Sequence, residues 1–446
     1  MVDITSALEN HKQTGKKHFK LIETTYRSNT SSDYTEKMEE LAKNFDYHSN
    51  SDRYWSVPEQ SLLYGTPLYD AASSTQRMAL NHLHWFANYN YVADTETETL
   101  INNQSTASIF ASLGGYETIA QELELETQQE YAHIHTFRKI GLTTAKTLMG
   151  RDTLKAMLKW HSYQLTLGQN SWATFQYYAL RKLSQTMNKS KKQFYSRHLQ
   201  EVEAKEGFIG QKRTTGVMGR NVPSSLQRFF LFNWGGGSPF LACEYYVLRM
   251  MSNLTLKNME HPIFKYYKKQ QKKGESIPEP TAVSHYHFLD ESFHTTISQT
   301  LSRDMYKDFS PPTAYEKFVV NLAVYFIQSG TLAHLSGAFP HRYFQDDISL
   351  MELIYRLLQA PIFGMSEREA LHWLEQCLCH EQESFHLAAK NHQSLLEEQR
   401  RFVGNLDYLW PINREMRAMA SGGSIHKAIQ NNIRTFKRFS RFCSQD

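Results

Sequence analysis

The chain has 446 residues, a net charge of +4, and 25 Tyr and 26 Phe against 21 Gly and 12 Pro. That length buries a large core, and so small a charge gives no ground for nucleic-acid binding. No run of about 18 apolar residues, no basic-then-apolar leader and no CxxC pair among the four cysteines is present. No membrane span, secretory signal or disulfide framework is therefore expected, and a cytoplasmic setting follows.

Few helix breakers and many aromatic residues predict an all-α chain of long packed helices. Residues 1–70 are polar, with helical stretches around Thr35 to Phe45 and no recognisable site. A long helix is predicted from Ser74 to about Leu113, where Gly114-Gly115 breaks it. Within it, Glu96 shares a face with Trp85, Tyr89, Val92, Ala93 and Leu100, so it is expected to be buried. Glu98 shares its face with Ala87, Asp94, Asn102 and Ser105 and is expected to be solvated, although Tyr91 and Ile101 lie there too. After the diglycine turn a second helix is predicted over Glu117 to Ile140. It carries Glu130 and His133 one turn apart, as two ligands of one metal require. The hairpin sets Glu96 and Glu98 both level with Glu130 and does not choose between them.

Further helical patterns run from Asp152 to about Arg220, with Lys189 to Lys192 reading as a solvated linker. The loop Asn233-Trp234-Gly235-Gly236-Gly237 lacks the strand and spacing of a phosphate-binding turn. Ser238-Pro239 then reads as a helix N-cap followed by proline at the first helical position. The helix it opens carries Glu244 among Phe240, Leu241, Val247, Leu248 and Met251. Residues 256–281, with the Lys268 to Lys273 cluster and Ile277-Pro278-Glu279-Pro280, are expected to form an exposed connection.

The next helix holds His287, Glu291 and His294. At about 100° per residue, Glu291 lies about 40° from His287 and His294 about 20° the other way, on a stripe shared with Val283 and Leu301. Buried imidazoles and a carboxylate need partners, and a metal satisfies all three. Two more Glu-x-x-His pairs, Glu369/His372 and Glu383/His386, are expected on a single amphipathic helix opened by Ser366, and are read as structural.

Four core-facing helices thus offer Glu96; Glu130 and His133; Glu244; and His287, Glu291 and His294. This is the ligand scheme of a ferritin-like di-iron bundle with one added histidine. The expected organisation is an N-terminal segment 1–70, a core over 71–305 with an insertion at about 150–235, and a helical extension over 306–446. Carboxylate and imidazole donors suit iron and dioxygen better than closed tetrahedral zinc. Glu130 and Glu291 are the expected bridges, and Glu96 and Glu244 the terminal carboxylates. No flavin or nicotinamide motif is visible, so an external reductase or other electron donor is expected.

The combined pattern resembles the p-aminobenzoate N-oxygenase family of non-haem di-iron proteins. The resemblance is carried by Ala93-Asp94-Thr95-Glu96, Glu130-Tyr131-Ala132-His133, Ala242-Cys243-Glu244 and the run His287 to His294, over about residues 70–305. It implies two iron ions, dioxygen as co-substrate and N-oxygenation of a small amine, with a homodimer compatible. It also implies outer partners for the ligand histidines: Gln129 stands where the family has Asp, and Asp290 offers the same role in the other motif. An arginine for an aminobenzoate carboxylate is not evident, Tyr91 standing near its place. Tyr89 and Tyr131 are the substrate-pocket candidates. Two alternatives are a di-iron hydroxylase or desaturase acting on a C–H bond, and a non-catalytic iron-binding helical protein. A helical interaction protein is a third, its His/Glu stripe forming only buried hydrogen bonds. The basic tail around Arg434, Lys437, Arg438 and Arg441 would offer a partner surface in any of these.

Overall fold

The computed structural model describes residues 16–155, 238–341 and 345–443, with isolated positions between 175 and 204. The glycine loop at 233–237 and the cluster Lys189 to Lys192 lie outside the described residues. Among the described residues every regular element is helical, as the composition predicted, and no helix is long and apolar enough to cross a membrane. Helices α1 (Lys17–Thr30) and α2 (Tyr34–Asn44) precede two long hairpins. The first hairpin is α3 (Ser74–Ser112) with α4 (Glu117–Met149); the second is α5 (Pro239–Lys273) with α6 (Glu279–Arg303).

Local chemistry sets the ends of these rods. Ser73 and Gln76 form a reciprocal capping box on α3. Gly114 and Gly115 turn the chain at φ +64° and +79°, a region that disfavours any side chain. Ser238 accepts from the Leu241 amide with Pro239 in the first turn of α5, as the sequence predicts. Gly274 ends α5 in the left-handed region beside Lys272 and Lys273, whose charges complement the carbonyl end.

Two boundaries differ from expectation. The stretch over 256–281 is not an exposed connection, because α5 continues through Pro262 to Lys273. Met259, Glu260, Ile263, Tyr267 and Gln270 are all buried along it, and that stripe outweighs the one backbone hydrogen bond the proline removes. Near the C-terminus, the pairs Glu369/His372 and Glu383/His386 fall on two helices, α9 (Glu367–Leu378) and α10 (Glu383–Val403), rather than one. The Ser366–Glu369 capping box opens α9 as predicted.

Helices α1 and α2 pack on α4 and α6, so the polar N-terminal segment lies against the site-bearing helices. Helix α7 (Ala314–Gly330) and α10 pack on α5, while α11 (Ile425–Cys443) joins α8 (Ile348–Gln359) to α9. Helices α3 and α4 pack tightly at Gly141, where a Cβ would stand 2.9 Å from the buried Phe86 ring. Gly141→Ala is therefore expected to lose about 1–2 kcal/mol in chemical denaturation, the overpacking exceeding the gain in helix propensity.

Candidate metal centre

The centre lies where α3, α4 and α6 face one another, and α5 closes it. Glu96 of α3, His133 of α4, and His287 and Glu291 of α6 are all buried, with one donor atom from each within 4.8 Å of the others. Glu130 of α4 and His294 of α6 form a second such group with the same Glu291. Glu291 is thus common to both, and Glu130 Oε2 also reaches to 3.5 Å from His133 Nδ1. Six of the seven sequence candidates meet here. Of the Glu96/Glu98 alternatives, Glu96 is the one in the group; the Glu98 side chain lies outside the described residues.

Each histidine has one ring nitrogen tied outward and the other turned inward. His133 Nε2 is 2.9 Å from Asp290 Oδ2, His287 Nδ1 is 2.7 Å from Glu260 Oε1, and His294 Nε2 is 3.1 Å from Gln129 Oε1. Such outward partners fix the tautomer and aim of a metal-binding imidazole. Asp290 and Gln129 stand in the outer positions suggested for them, each serving the histidine of the other helix. They are held in turn by the N-terminal helices: Thr35 donates to Asp290 at 2.8 Å, and Gln129 donates to Asn29 at 2.7 Å.

Glu244 does not join them. It lies five residues before Arg249, a rotation of about 140°, so the two face opposite sides of α5. Glu244 looks toward the C-terminal segment around Asp407 and Tyr408, and burial holds its carboxyl well above the usual range, in the neutral form. The apolar stripe around it packs on the C-terminal helices. A neutral acid in a core explains the lone glutamate that the sequence reading assigned as a ligand.

In its place α5 presents a cation. Arg249 donates to Glu126 and Asn103 through Nη1, and to Glu130 Oε1 through Nη2 at 3.0 Å. It is the one Lys or Arg side chain buried among the described residues. Against it, the centre and its supports hold seven buried carboxyls: Glu96, Glu122, Glu126, Glu130, Glu260, Asp290 and Glu291. Sequence reading missed Glu122 and Glu126, although they share a face of α4 with Glu130 at intervals of four. It missed Glu260 because that residue was placed in a connection.

The substrate-pocket candidates also resolve differently. Tyr131 is 56% exposed on the outer side of α4. Tyr89 is fully buried with its hydroxyl on Glu260 at 2.7 Å.

Electrostatics follow from the crowding. Burial, and then the Glu130 charge, push Glu96 up to about 7. Burial alone would depress His133, but its hydrogen bond to Asp290 and the nearby Glu130 carboxylate prevail and hold it up at about 9. His287 is likewise held well above its ordinary value, the Glu260 charge and hydrogen bond outweighing burial. Without a metal, protons on the imidazoles thus offset part of the acidic excess. Glu96 Oε2, Glu130 Oε2 and His133 Nδ1 are buried and meet no hydrogen-bond partner. Orphaned inward donors within a carboxylate excess fit divalent cations.

No curated protein and no solved structure matches the chain. A family model described as "Acyl halogenase CylC-like" matches residues 17–440. This overturns the p-aminobenzoate N-oxygenase resemblance and, with it, the expected N-oxygenation of an amine. The motifs behind that resemblance record how helices present carboxylates and imidazoles, and such a donor set does not encode which bond is oxidised. Nor do the C–H hydroxylase or desaturase and non-catalytic alternatives find support in the match. Because the match runs through all the described helices, including the N- and C-terminal ones, the chain belongs to the CylC-like acyl halogenase family.

Proposed function

We propose that this chain is an iron- and dioxygen-dependent halogenase that places a halogen on an acyl substrate. The family supplies the reaction class. The observation that carries the metal requirement is the pair of buried donor groups sharing Glu291, with every histidine oriented from behind. Glu96, His133, His287 and Glu291 would hold one ion, and Glu130, Glu291 and His294 the other. The metals, when bound, supply dioxygen activation and the oxidation of halide.

The chain's own residues do the rest. Asp290, Glu260 and Gln129 hold the imidazoles in register. Arg249 neutralises Glu126 and steadies the oxygen of Glu130 that it binds. Phe137, with its ring 4.8 Å from that of His287, keeps water from that side. Three donor residues in the second group leave positions for exogenous ligands, which halide and dioxygen require, whereas a fourth carboxylate from α5 would fill one. An external electron donor remains part of this reading.

Elemental analysis of protein reconstituted anaerobically with Fe(II), followed by dioxygen, chloride, a reductant and a panel of acyl thioesters and free fatty acids, tests it. Bound iron and a product with the chlorine isotope pattern are expected. Iron-loaded protein that consumes dioxygen across the panel without incorporating halogen would sink the reaction class, and absence of iron binding would sink the metal assignment.

Metal uptake should also release protons, because the imidazoles are protonated without it. With His133 at about 9, affinity for Fe(II) or Mn(II) is expected to fall about tenfold per pH unit below that value for each proton released. Competition titration at several pH values measures the slope. Glu260→Gln, which removes the charge behind His287, is expected to weaken metal binding by about 10–100-fold in the same titration.

A further inference from the structure

Glu260 serves two partners. Its Oε1 lies 2.7 Å from His287 Nδ1 and accepts the Tyr89 hydroxyl at 2.7 Å, and its Oε2 meets no hydrogen-bond partner. Behind Tyr89 the rings continue outward. Tyr89 to Trp85 is 4.5 Å between centroids, Trp85 to Trp55 6.1 Å, and Trp55 to Tyr47 5.9 Å. Tyr47 sits between exposed Asp46 and His48, so the row ends at the surface.

The hydrogen bonds along the row follow redox chemistry. A tyrosine is oxidised readily only when a base takes its proton, whereas an indole can lose an electron and keep its N–H. Both tyrosines have bases: Tyr89 has the Glu260 carboxylate. Tyr47 has His82 Nδ1 at 3.0 Å, the other His82 nitrogen being on the Arg53 carbonyl at 2.8 Å. Burial keeps His82 neutral, its pKa lowered to about 4. Both tryptophans meet only neutral acceptors: Trp85 bonds Ser284 Oγ at 2.9 Å and Trp55 the Asn50 carbonyl at 2.8 Å. Core packing alone needs oily rings in contact and does not call for this alternation.

We propose that Tyr89, Trp85, Trp55 and Tyr47 form a one-electron relay, carrying electrons from a reductant at the surface near His48 to the buried centre. This rests on the metal reading above. In the inner step the Tyr89 O–H bond breaks, its proton passes to the Glu260 carboxylate, and its electron passes to the oxidised centre, which is reduced by one. Tyr89 then regains an electron from Trp85 and its proton from Glu260. The vacancy moves through Trp55 to Tyr47, whose proton rests on His82 until an external one-electron donor of the ascorbate or reduced iron–sulfur class fills it.

The test is freeze-quench electron paramagnetic resonance of Fe(II)-loaded protein mixed with dioxygen and no acyl substrate, with ascorbate as the probe donor. A tyrosyl radical signal, narrowed when ring-deuterated tyrosine is incorporated, is expected in the natural protein. Y89F should lose it at equal iron content. W85F and W55F, which cut the supply behind Tyr89, should instead lengthen its lifetime several-fold. A purely structural role would not move the two sets of variants in opposite directions, and two supply variants guard against one failing to fold. A signal retained in Y89F, an unchanged lifetime in both tryptophan variants, or iron-loaded protein that consumes dioxygen with no radical would overturn the relay alone. Protein that takes up no iron would overturn the relay and the metal reading together.

Discussion

Arg249→Met is expected to destabilise the metal-free protein by about 3–5 kcal/mol, the usual cost of removing one partner from a buried ion pair. Arg249 donates to both Glu126 and Glu130, so its loss strands two buried carboxylates one turn apart on α4 without their shared cation. Methionine keeps most of the volume, which makes the loss electrostatic rather than a cavity effect. Two companions separate these causes. Adding Glu126→Gln to Arg249→Met should recover part of the stability, because one of the stranded charges is gone. Fe(II) or Mn(II) should raise the Tm of Arg249→Met more than that of the natural protein, because a cation beside Glu130 stands in for the guanidinium. Arg249→Lys should fall between, since a single ammonium cannot span both carboxylates as the planar fork does. Equal Tm values for the natural protein and Arg249→Met would show that the arginine holds nothing together.

The long helices were legible because local signals and hydrophobic period agreed. The helix start near Ser74, the diglycine turn and the Ser238-Pro239 start all appear where expected. The triplet on α6 was legible for the same reason: an eight-residue run fixes three side chains on one stripe without knowledge of any other helix. The failures lie where a face had to be assigned to a partner across space. On α5 both the Glu244 face and the Arg249 face are buried, so burial could not say which looks inward. The apolar stripe around Glu244 reads as the metal-facing one from sequence, whereas it packs on the C-terminal helices. Glu260 escapes because the Lys268 to Lys273 cluster and the Pro278-Glu279-Pro280 run read as an exposed connection, whereas the buried stripe of Met259, Glu260, Ile263 and Tyr267 carries the helix past Pro262 to Lys273. Thr35 and Asn29 are polar residues in a polar segment, and nothing short of the fold marks them as supports for Asp290 and Gln129. The reaction class was not legible at all, since donors that bind a metal do not name the bond it attacks.

Glu291→Ala is expected to abolish the paired centre, and the geometry says how. Both donor groups use this carboxylate. Its loss leaves Glu96, His133 and His287 on one side, three donors of the kind that still hold one ion with open positions. The other side retains only Glu130 and His294, and Glu130 is also claimed by Arg249. Two ions in the natural protein should therefore fall to one or fewer in the variant, counted by elemental analysis after anaerobic reconstitution, and halogenation should be lost. Stability gives an independent reading. Binding at one hundred times Kd contributes about 2.7 kcal/mol for each site, so the variant should lose at least one such increment of metal-induced stabilisation. Glu244→Gln is the matched control, because that residue is buried, acidic and on the same bundle but faces the C-terminal segment; it should keep full metal content. If Glu244→Gln lost a metal while Glu291→Ala kept two, the arrangement of donors around Glu291 would be the wrong one.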